Sequence, residues 1–263
     1  MWWKKKHKAV FKPEEVGNYY NQFTDKYLET YGNVIQAFRP TDTEQLHRYV
    51  IQSASLGDGQ RILDAGCGVG GPAVFFAEHT NARIDGITIS SKQVAMANDY
   101  KRKQKLKGTV NFKEGDYHHL TTLYQGQKFD RILFLESLGH AQNPGKVLKE
   151  AVSLLEKKGR IYIKDFFPFE IEDKQLAEKH KKVIGNINKA YCYNVLDLHE
   201  TISVLRKLRM EIQFIRKLDF IDDISARAAF EEQTCVDLFG EMQEFRVAEW
   251  LELCFVKPEW ELF

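Results

Sequence analysis

Two groups of residues in this sequence have types and spacings that could do chemistry. The first is a glycine-rich segment at residues 61–71, which reads RILDAGCGVGG. Its residues Gly66, Gly68 and Gly71 fit the G-x-G-x-x-G spacing, in which absent side chains permit a tight turn and let a nucleotide-like ligand approach the backbone. Asp64 stands just before the first glycine, where dinucleotide-binding loops usually lack an acid. The segment predicts a buried strand that breaks into a ligand-binding loop and opens a helix.

The second group is Glu136 and His140, which follow a strand-like apolar run. One helical turn after the strand would bring both side chains to the same face. They would then line the crevice at the carboxyl end of a parallel strand, where open α/β sheets bind their ligands. A carboxylate and an imidazole in that place can exchange protons with a substrate. The alternative for Glu136 is to cap the following turn, and for His140 to be a polar residue on the crevice wall.

The elements that must position these residues alternate between strand and helix. Beyond the glycine segment, β-rich runs occupy residues 83–89, 110–117, 129–136 and 159–165. Helical patterns lie between them, as at residues 145–157. A helical pattern at 197–209 is followed by strands at 210–219 and 250–256. This alternation predicts an α/β fold with a doubly wound, mostly parallel sheet that helices cover on both faces.

Taken in order, these motifs resemble those of the class I S-adenosylmethionine-dependent methyltransferases, most strongly over residues 45–167. The segment LDAGCGVGG is similar to the first motif of that family, and GDYHHL to its adenine-binding strand end. FDRILFLESLGHA is similar to its fourth motif, and LLEKKGRIYIKDFF to its fifth strand. The resemblance implies a Rossmann-like sheet of seven strands that ends in an antiparallel pair. It also implies methyltransferase activity, with S-adenosyl-L-methionine as the cofactor.

One departure from the common pattern places the chain within this superfamily. Many members carry a ribose-binding carboxylate at the tip of the second strand, but this chain has Thr88 in the segment GITISSKQ. That segment is similar to the branch of sterol, tocopherol and cyclopropane fatty-acid methyltransferases, where the threonine and a glutamine, here Gln93, take over the ribose contacts. Asp85 lies too early for the ribose and is expected at a strand edge. The cofactor site that the resemblance implies comprises Asp64, Gly66, Cys67, Gly68, Thr88, Ile89, Gln93, Asp116, Tyr117 and Glu136.

The resemblance also implies a reaction. Glu136 and His140 are similar in placement to an E-x-x-x-H segment of sterol and tocopherol methyltransferases, and isoprenoid-diphosphate C-methyltransferases carry a glutamate there too. In those enzymes an alkene accepts the methyl group, and a carboxylate can both stabilise the resulting cation and remove a proton. His140 could take the proton instead, or assist a hydroxyl or amine nucleophile. Glu136 could alternatively bind the methionine amine of the cofactor.

The expected reaction is therefore C-methylation of an isoprenoid-type alkene, such as a prenyl diphosphate, through a carbocation. Aromatic faces stabilise such cations by about 0.5 to 2 kcal/mol each. We accordingly predict that Tyr19, Tyr20 and Phe167 act in catalysis beside Glu136 and His140, although an aromatic stripe at helical spacing also fits an ordinary core. Two alternatives remain open: O- or N-methylation of a small metabolite, and cofactor binding without methyl transfer.

Length and composition predict a single methyltransferase domain over residues 1–263. Its parts are a helical lid at 1–44, a cofactor-binding core at 45–167 and a C-terminal half at 168–263. Lid insertions are expected at 168–194 and 222–247. In the first lid, Lys26 and Arg39 could hold a diphosphate or carboxylate, with surface positions as the alternative.

Charge and cysteine usage exclude several other classes of protein. A formal net charge of +1 and the lack of base-methylation motifs argue against a nucleic-acid partner. No ligand spacing for a metal is present, so magnesium is expected only if the acceptor is a diphosphate. Four cysteines without a pairing pattern, and no signal peptide or membrane span, predict reduced thiols in the cytoplasm. The expected partner is a small apolar or isoprenoid acceptor, and a homo-oligomer is left open.

Overall fold

A single sheet organises the computed structural model, which describes residues 11–234, residue 238 and residues 247–259. Within these residues, seven strands lie in the order β3-β2-β1-β4-β5-β7-β6. They are β1 (Arg61–Ala65), β2 (Arg83–Thr88), β3 (Thr109–Glu114), β4 (Phe129–Leu135), β5 (Leu155–Pro168), β6 (Glu211–Lys217) and β7 (Ala248–Val256). Strands β1 to β5 pair in parallel, whereas β7 is antiparallel to both β5 and β6. The predicted α/β class and its mostly parallel, seven-stranded sheet are confirmed.

Helices pack against both faces of the sheet. They are α1 (Pro13–Tyr31), α2 (Thr43–Ser53), α3 (Gly71–His79), α4 (Ser91–Arg102), α5 (Leu120–Leu123), α6 (Pro144–Ser153), α7 (Lys174–Tyr191), α8 (Leu198–Lys207) and α9 (Ser225–Thr234). Several begin at a side chain that accepts a hydrogen bond from the backbone of the first turn, which satisfies an otherwise free N–H group. These residues are Asp42, Ser90, Asn143, Asp173 and Asp197.

The core lies on both sides of the sheet because neighbouring strand residues point to opposite faces. On β1, Ile62 packs with an apolar cluster that includes residues of α2 and α3. The next residue, Leu63, packs with a second cluster that includes residues of α6 and α8. Both side chains are fully buried. Burial on two faces explains why the central strands appear in the sequence as nearly continuous apolar runs.

One predicted boundary is wrong. The helical pattern of residues 145–157 ends early, since α6 stops at Ser153 and Leu155 already belongs to β5. The N–H group of Phe129 donates to the carbonyl oxygen of Leu154 at 2.9 Å, and Leu155 pairs with Phe129 in the sheet. Buried leucines suit either element, so apolar spacing alone assigned this pair to the wrong one.

Helices occupy each of the three segments predicted to form lids. The first lid contains α1, the insertion after β5 contains α7, and the excursion before the last strand contains α9. Residues 1–10 and all of 235–246 except 238 lie outside the described residues. The lid predictions there, and the assignment to a single domain, stay predictions. None of the described helices is both long enough and apolar enough to cross a membrane.

Candidate active site

The glycine loop joins β1 to α3 beside the tip of β2. The backbone N–H groups of Gly66 and Cys67 both donate to the carbonyl oxygen of Ile87, at 2.9 and 2.8 Å. Gly66 has a φ of 96°, and a Cβ atom there would collide with the side chain of Ser137. The Ser137 hydroxyl in turn donates to the carbonyl oxygen of Ala65 at 2.6 Å. Glycine is therefore required at position 66 both by the backbone conformation and by the contact between two strand ends.

A narrow cleft with a volume of about 70 Å³ lies at this edge of the sheet. Helix α1 contributes Pro13, Val16 and Tyr20 to its wall. Most of the residues predicted to bind the cofactor also line it: Gly66, Gly68, Thr88, Ile89, Gln93, Asp116, Tyr117 and Glu136. The structure thus brings together residues from four strand ends that lie far apart in the sequence.

Asp64 and Cys67, which are also predicted to contact the cofactor, do not line this cleft. Asp64 is 1% exposed, and its Oδ2 atom is buried without a hydrogen-bond partner among the described residues. Burial raises the pKa of this carboxyl from 3.8 to about 7. Cys67 is also buried and packs in the apolar cluster that contains Phe112. Both side chains point into the packed interior and support the glycine loop from beneath.

Thr88 and Gln93 form a hydrogen-bonded pair at the tip of β2. The Thr88 hydroxyl donates to Oε1 of Gln93 at 2.6 Å and accepts the backbone N–H of Ser90 at 3.3 Å. The Ser90 hydroxyl accepts the backbone N–H of Gln93 at 3.1 Å, which fixes the start of α4. Because Oε1 is occupied, the amide nitrogen of Gln93 is the group left to donate to a ligand. The pair lies at the tip of β2, where the resemblance implied the ribose contacts.

Asp116 presents a fixed carboxylate to the cleft. Its Oδ1 atom accepts both the backbone N–H and the Nδ1–H of His118, at 2.9 and 2.6 Å. The Nε2 atom of His118 accepts the backbone N–H of Asn143 at 3.2 Å, which puts the ring proton on Nδ1. Burial raises the pKa of Asp116, but the hydrogen bonds from His118 outweigh burial and leave the pKa below its usual value. The carboxylate is thus ionised at neutral pH, and no described residue is hydrogen bonded to Oδ2.

A second, larger cavity of about 570 Å³ adjoins the cleft. The two share Tyr20, Ile35, Glu136 and His140, which we call the junction. Aromatic rings make up much of the wall of the larger cavity: Tyr20, Tyr27, Tyr31, Phe38, Phe166, Tyr191, Tyr193 and Trp250. A volume of this size suits a small organic molecule with a mostly apolar surface.

Glu136 lies at the junction in a constrained backbone conformation. Its φ is 55°, which is uncommon for a residue other than glycine and is often associated with functional sites. Its carboxylate is ion-paired with Nζ of the buried Lys164 and accepts the backbone N–H groups of Ala37 and Phe38, at 2.6 and 3.3 Å. The carboxylate therefore joins the end of β4 to β5 and to the segment between α1 and α2.

His140 is held as a neutral imidazole. Its Nδ1 atom lies 3.0 Å from the carbonyl oxygen of Cys192, which can only accept, so Nδ1 carries the proton. Its Nε2 atom then accepts the hydroxyl proton of Tyr20 at 2.8 Å. Burial lowers the pKa of His140 to about 4. The imidazole consequently orients Tyr20, whose phenolic oxygen keeps its lone pairs for the junction.

Two of the predicted catalytic aromatics, Tyr19 and Phe167, line neither the cleft nor the cavity. The Tyr19 hydroxyl is hydrogen bonded to that of Tyr27 at 2.8 Å, and its ring packs on Phe23. Phe167 is 1% exposed within the core. Its neighbour Phe166 faces the cavity, because side chains alternate along β5. On β5, the residue that faces the cavity is Phe166, one position before the predicted Phe167.

Sequence reasoning missed several residues at the site. Phe166 and Trp250 lie on neighbouring strands with ring centroids 5.0 Å apart, and Tyr193 stacks on Phe166 at 5.7 Å. Lys164, which binds Glu136, was also missed. The period of two along β5 places Lys164 and Phe166 on the same face, and this signal could have found both.

Charged side chains of both signs line the cavity among the described residues. Its wall includes the carboxylates of Glu136, Asp222 and Glu231 but, among the described residues, one arginine, Arg227. The Arg227 guanidinium is 3.4 Å from Asp222. In the part of the chain that the structure describes, no group of three His, Cys, Asp or Glu side chains could hold a metal ion.

The two lid cations that could have held an anion, Lys26 and Arg39, do not line the cavity. Arg39 donates to the carbonyl oxygens of Tyr31 and Val34, at 2.8 and 2.9 Å. Lys26 lies over the ring of Phe23, 5.7 Å from its centroid. These contacts hold the turn after α1 and cover an aromatic surface, which are structural roles.

Comparison with known proteins adds family information to this geometry. The model of a methyltransferase domain matches residues 56–207. The chain is 34% identical to Methyltransferase GfsG of Streptomyces halstedii over 165 residues, which cover 57% of each protein. It is 28% identical to the sterol 24-C-methyltransferase of Debaryomyces hansenii over 222 residues, or 79% of this chain and 56% of that protein.

The chain thus matches a little over half the length of these curated relatives. Among solved structures, the [4+2]-cyclase SpnF superposes with a TM-score of 0.75 at 20% identity, covering 95% of this chain and 97% of that one. At this identity, the likeness shows a shared fold and nothing about the reaction.

Proposed function

Because the chain belongs to the methyltransferase domain family, we propose that it transfers the methyl group of S-adenosylmethionine to a carbon atom of an apolar, isoprenoid-type alkene. The observation that carries this proposal is the junction, where Tyr20, Glu136 and His140 separate the cofactor cleft from an aromatic cavity. The similarity to a sterol 24-C-methyltransferase supports the choice of carbon as the methylated atom.

The polar groups of the cleft fit those of S-adenosylmethionine. Asp116 offers a carboxylate to an adenine amino group, Thr88 and Gln93 offer a hydroxyl and an amide to ribose, and the glycine loop leaves room for the methionine part. When bound, this cofactor supplies an electrophilic methyl group. The tasks of the protein are then to align the acceptor, exclude water and handle charge and protons at the junction.

Charge handling falls to Glu136 and the aromatic wall. Methylation of an alkene leaves a positive charge on the acceptor, which the carboxylate of Glu136 and the aromatic ring faces would stabilise. The single lone pair of His140 Nε2 already accepts the Tyr20 hydroxyl, whereas the carboxylate of Glu136 has about four acceptor sites and its three partners leave one open, so the carboxylate is the better proton acceptor of the two. We assign the removal of the proton to Glu136 and the orientation of Tyr20 to His140.

The acceptor that we propose carries no diphosphate. Three carboxylates line the cavity among the described residues, and the cations that meet two of them, Lys164 and Arg227, are already paired with Glu136 and Asp222 and are not free to hold a diphosphate. We therefore expect methyl transfer to be independent of magnesium. The sequence predicted a prenyl diphosphate as one example of the acceptor. The charges of the cavity support an uncharged isoprenoid alkene instead.

Mass spectrometry with methyl-labelled cofactor tests the proposal. The protein would be incubated with a panel of uncharged isoprenoid alkenes, sterols, prenyl diphosphates, phenols and small amines, with and without EDTA. We expect the label at an alkene carbon of an uncharged member, in both conditions. Glu136→Gln should bind the cofactor and transfer the methyl group roughly a hundredfold more slowly. Glu44→Gln, on the exposed face of α2, is the matched control.

Other outcomes of this experiment would overturn the proposal. A label found only on oxygen or nitrogen would replace it by O- or N-methylation of a small metabolite, in which Glu136 is dispensable. Cofactor binding without transfer to any acceptor would replace it by a cofactor-binding protein without transferase activity.

A further inference from the structure

Lys164 is a completely buried lysine that no sequence motif singled out. It lies on β5, pairs in the sheet with Leu135 and has a relative exposure of 0%. Lysine is almost never fully buried unless its charge is paired. Lys164 lines neither the cleft nor the larger cavity, so it does not touch a ligand in either.

The ammonium group of Lys164 has partners on several sides. It is ion-paired with Glu136 and donates to the carbonyl oxygen of Phe38 at 2.6 Å. The ring centroids of Phe38 and Trp250, which both line the cavity, lie 5.9 and 5.7 Å away. These distances permit cation–π attraction in a desolvated place. The charge is thus surrounded by the aromatic wall and by the carboxylate of the junction.

The same contacts tie the lid to the sheet. Glu136 accepts the backbone N–H groups of Ala37 and Phe38, while Lys164 donates to the carbonyl oxygen of Phe38. The backbone N–H of Glu136 also donates to the carbonyl oxygen of Lys164 at 2.7 Å. Lys164, Glu136 and residues 37–38 therefore form one closed set, which we call the lid anchor.

We propose that Lys164 is a positioning residue, which holds the carboxylate of Glu136 at the junction and, through it, holds residues 37–38 closed over the acceptor cavity. The role of Glu136 in methyl transfer rests on the function proposed above, whereas the closure of residues 37–38 does not. Without Lys164, the carboxylate would be a buried charge with no counter-ion, which strongly destabilises the local structure. Its position relative to the acceptor would change, and small displacements of a reacting group cost large factors in rate.

A double-mutant cycle between the two residues tests this proposal. Lys164→Met should lower kcat roughly a hundredfold while the KM for the cofactor changes little. In the Glu136→Gln background, Lys164→Met should lower kcat by less than about twofold, since it acts through the carboxylate. Lys164→Arg keeps the charge and should recover part of the rate. Lys113→Met is the control, because that lysine also donates to a backbone carbonyl and lies over an aromatic ring.

Hydrogen exchange of residues 34–40 is the second measurement, and it needs no substrate. We expect faster exchange of the amides of Ala37 and Phe38 in Lys164→Met and Glu136→Gln than in Lys113→Met. If Lys164→Met lowers kcat by the same factor with Glu136 and with Glu136→Gln, the two residues act independently. Lys164 would then have a merely structural role, and the positioning role would be overturned. Unchanged exchange at residues 37–38 would overturn the lid anchor. If the parent protein methylates no acceptor, the proposed function fails. The exchange rates of the amides at residues 37–38 still test whether Lys164 and Glu136 hold this segment closed.

Discussion

Asp116 combines a fixed orientation with a negative charge at the cofactor cleft. We expect Asp116→Ala to weaken cofactor binding by about 1 to 3 kcal/mol, the usual cost of losing a hydrogen bond to a charged group. Isothermal titration calorimetry with S-adenosylmethionine measures this change. Asp85→Ala is the control. Asp85 is on β2, lies 3.9 Å from the Arg61 guanidinium and does not line the cleft. Equal affinities of the two variants would refute the adenine contact.

Asp64 gives a pH-dependent prediction, because burial raises the pKa of its carboxyl from 3.8 to about 7. Between these values the folded protein keeps a proton that the unfolded chain releases, so stability falls as the pH rises. This loss begins near pH 4 and is complete above pH 7. Asp64→Asn carries no such charge, and its stability relative to the parent protein should therefore increase from pH 5 to pH 8.

Thermal unfolding at the two pH values measures this difference. Each kcal/mol corresponds to about 2 to 4 °C in Tm for a protein near this size. The surface variant Asp99→Asn, whose parent residue is exposed beside Arg102, should show no such change with pH. A Tm difference for Asp64→Asn that stays constant from pH 5 to pH 8 would contradict the pKa shift.

Helix α1 forms part of the wall of the cofactor cleft, and we expect it to move when a ligand enters. Gly17 lies within this helix, where glycine costs about 0.5 to 1 kcal/mol relative to alanine. A Cβ atom there would lie 3.4 Å from the carbonyl oxygen of Ile89, an ordinary contact. Gly17→Ala should therefore stabilise the closed lid and slow both amide exchange over residues 13–31 and release of the cofactor.

Gly185→Ala provides the matched comparison for α1. Gly185 is inside α7, and a Cβ atom there would meet no other atom within 4 Å. Its replacement should raise helix stability by a similar amount without slowing cofactor release. If the two variants release the cofactor at the same rate, α1 is not the element that controls access.

The elements differ in how well the sequence predicted them. The strands were found because their apolar runs are short and bounded by glycine or polar residues. The end of α6 and the start of β5 were confused, since Leu154 and Leu155 suit both elements and only pairing with Phe129 separates them. The same lack of pairing information led to Phe167 being predicted in place of Phe166.

At the scale of the whole molecule, the cofactor cleft could be predicted from the sequence better than the acceptor cavity. Most of the cofactor cleft is built from residues 66–140, where spacing within local motifs located Gly66, Thr88 and Asp116. The acceptor cavity is assembled from α1, α7, α9 and the strands β5 and β7, which are distant in the sequence. No local spacing relates these elements, so Trp250 became visible only when the sheet was formed.

The sheet requires the chain beyond the region matched by the family model, which ends at residue 207. Strand β7 lies between β5 and β6 and pairs with β5 from Ala248 to Val256. Its residues Leu253 and Phe255 are fully buried. Its Glu252 is also buried and accepts hydroxyl protons from α2 and β5. Removal of β7 would therefore expose one edge of β5, the longest strand.

We expect a chain that ends at residue 207 to lack cooperative unfolding and to aggregate, since an exposed apolar strand edge pairs with other chains. A chain that ends at residue 259 keeps β6 and β7 and should unfold cooperatively, which makes it the control. Thermal unfolding followed by near-ultraviolet circular dichroism, together with sedimentation velocity, distinguishes the two.

A soluble, cooperatively folded 1–207 fragment would mean that the parallel strands fold alone and do not need the antiparallel strands β6 and β7. The aggregated outcome would instead mean that the acceptor cavity and the stability of the sheet depend on the same strand, because Ala248 and Trp250 of β7 line that cavity.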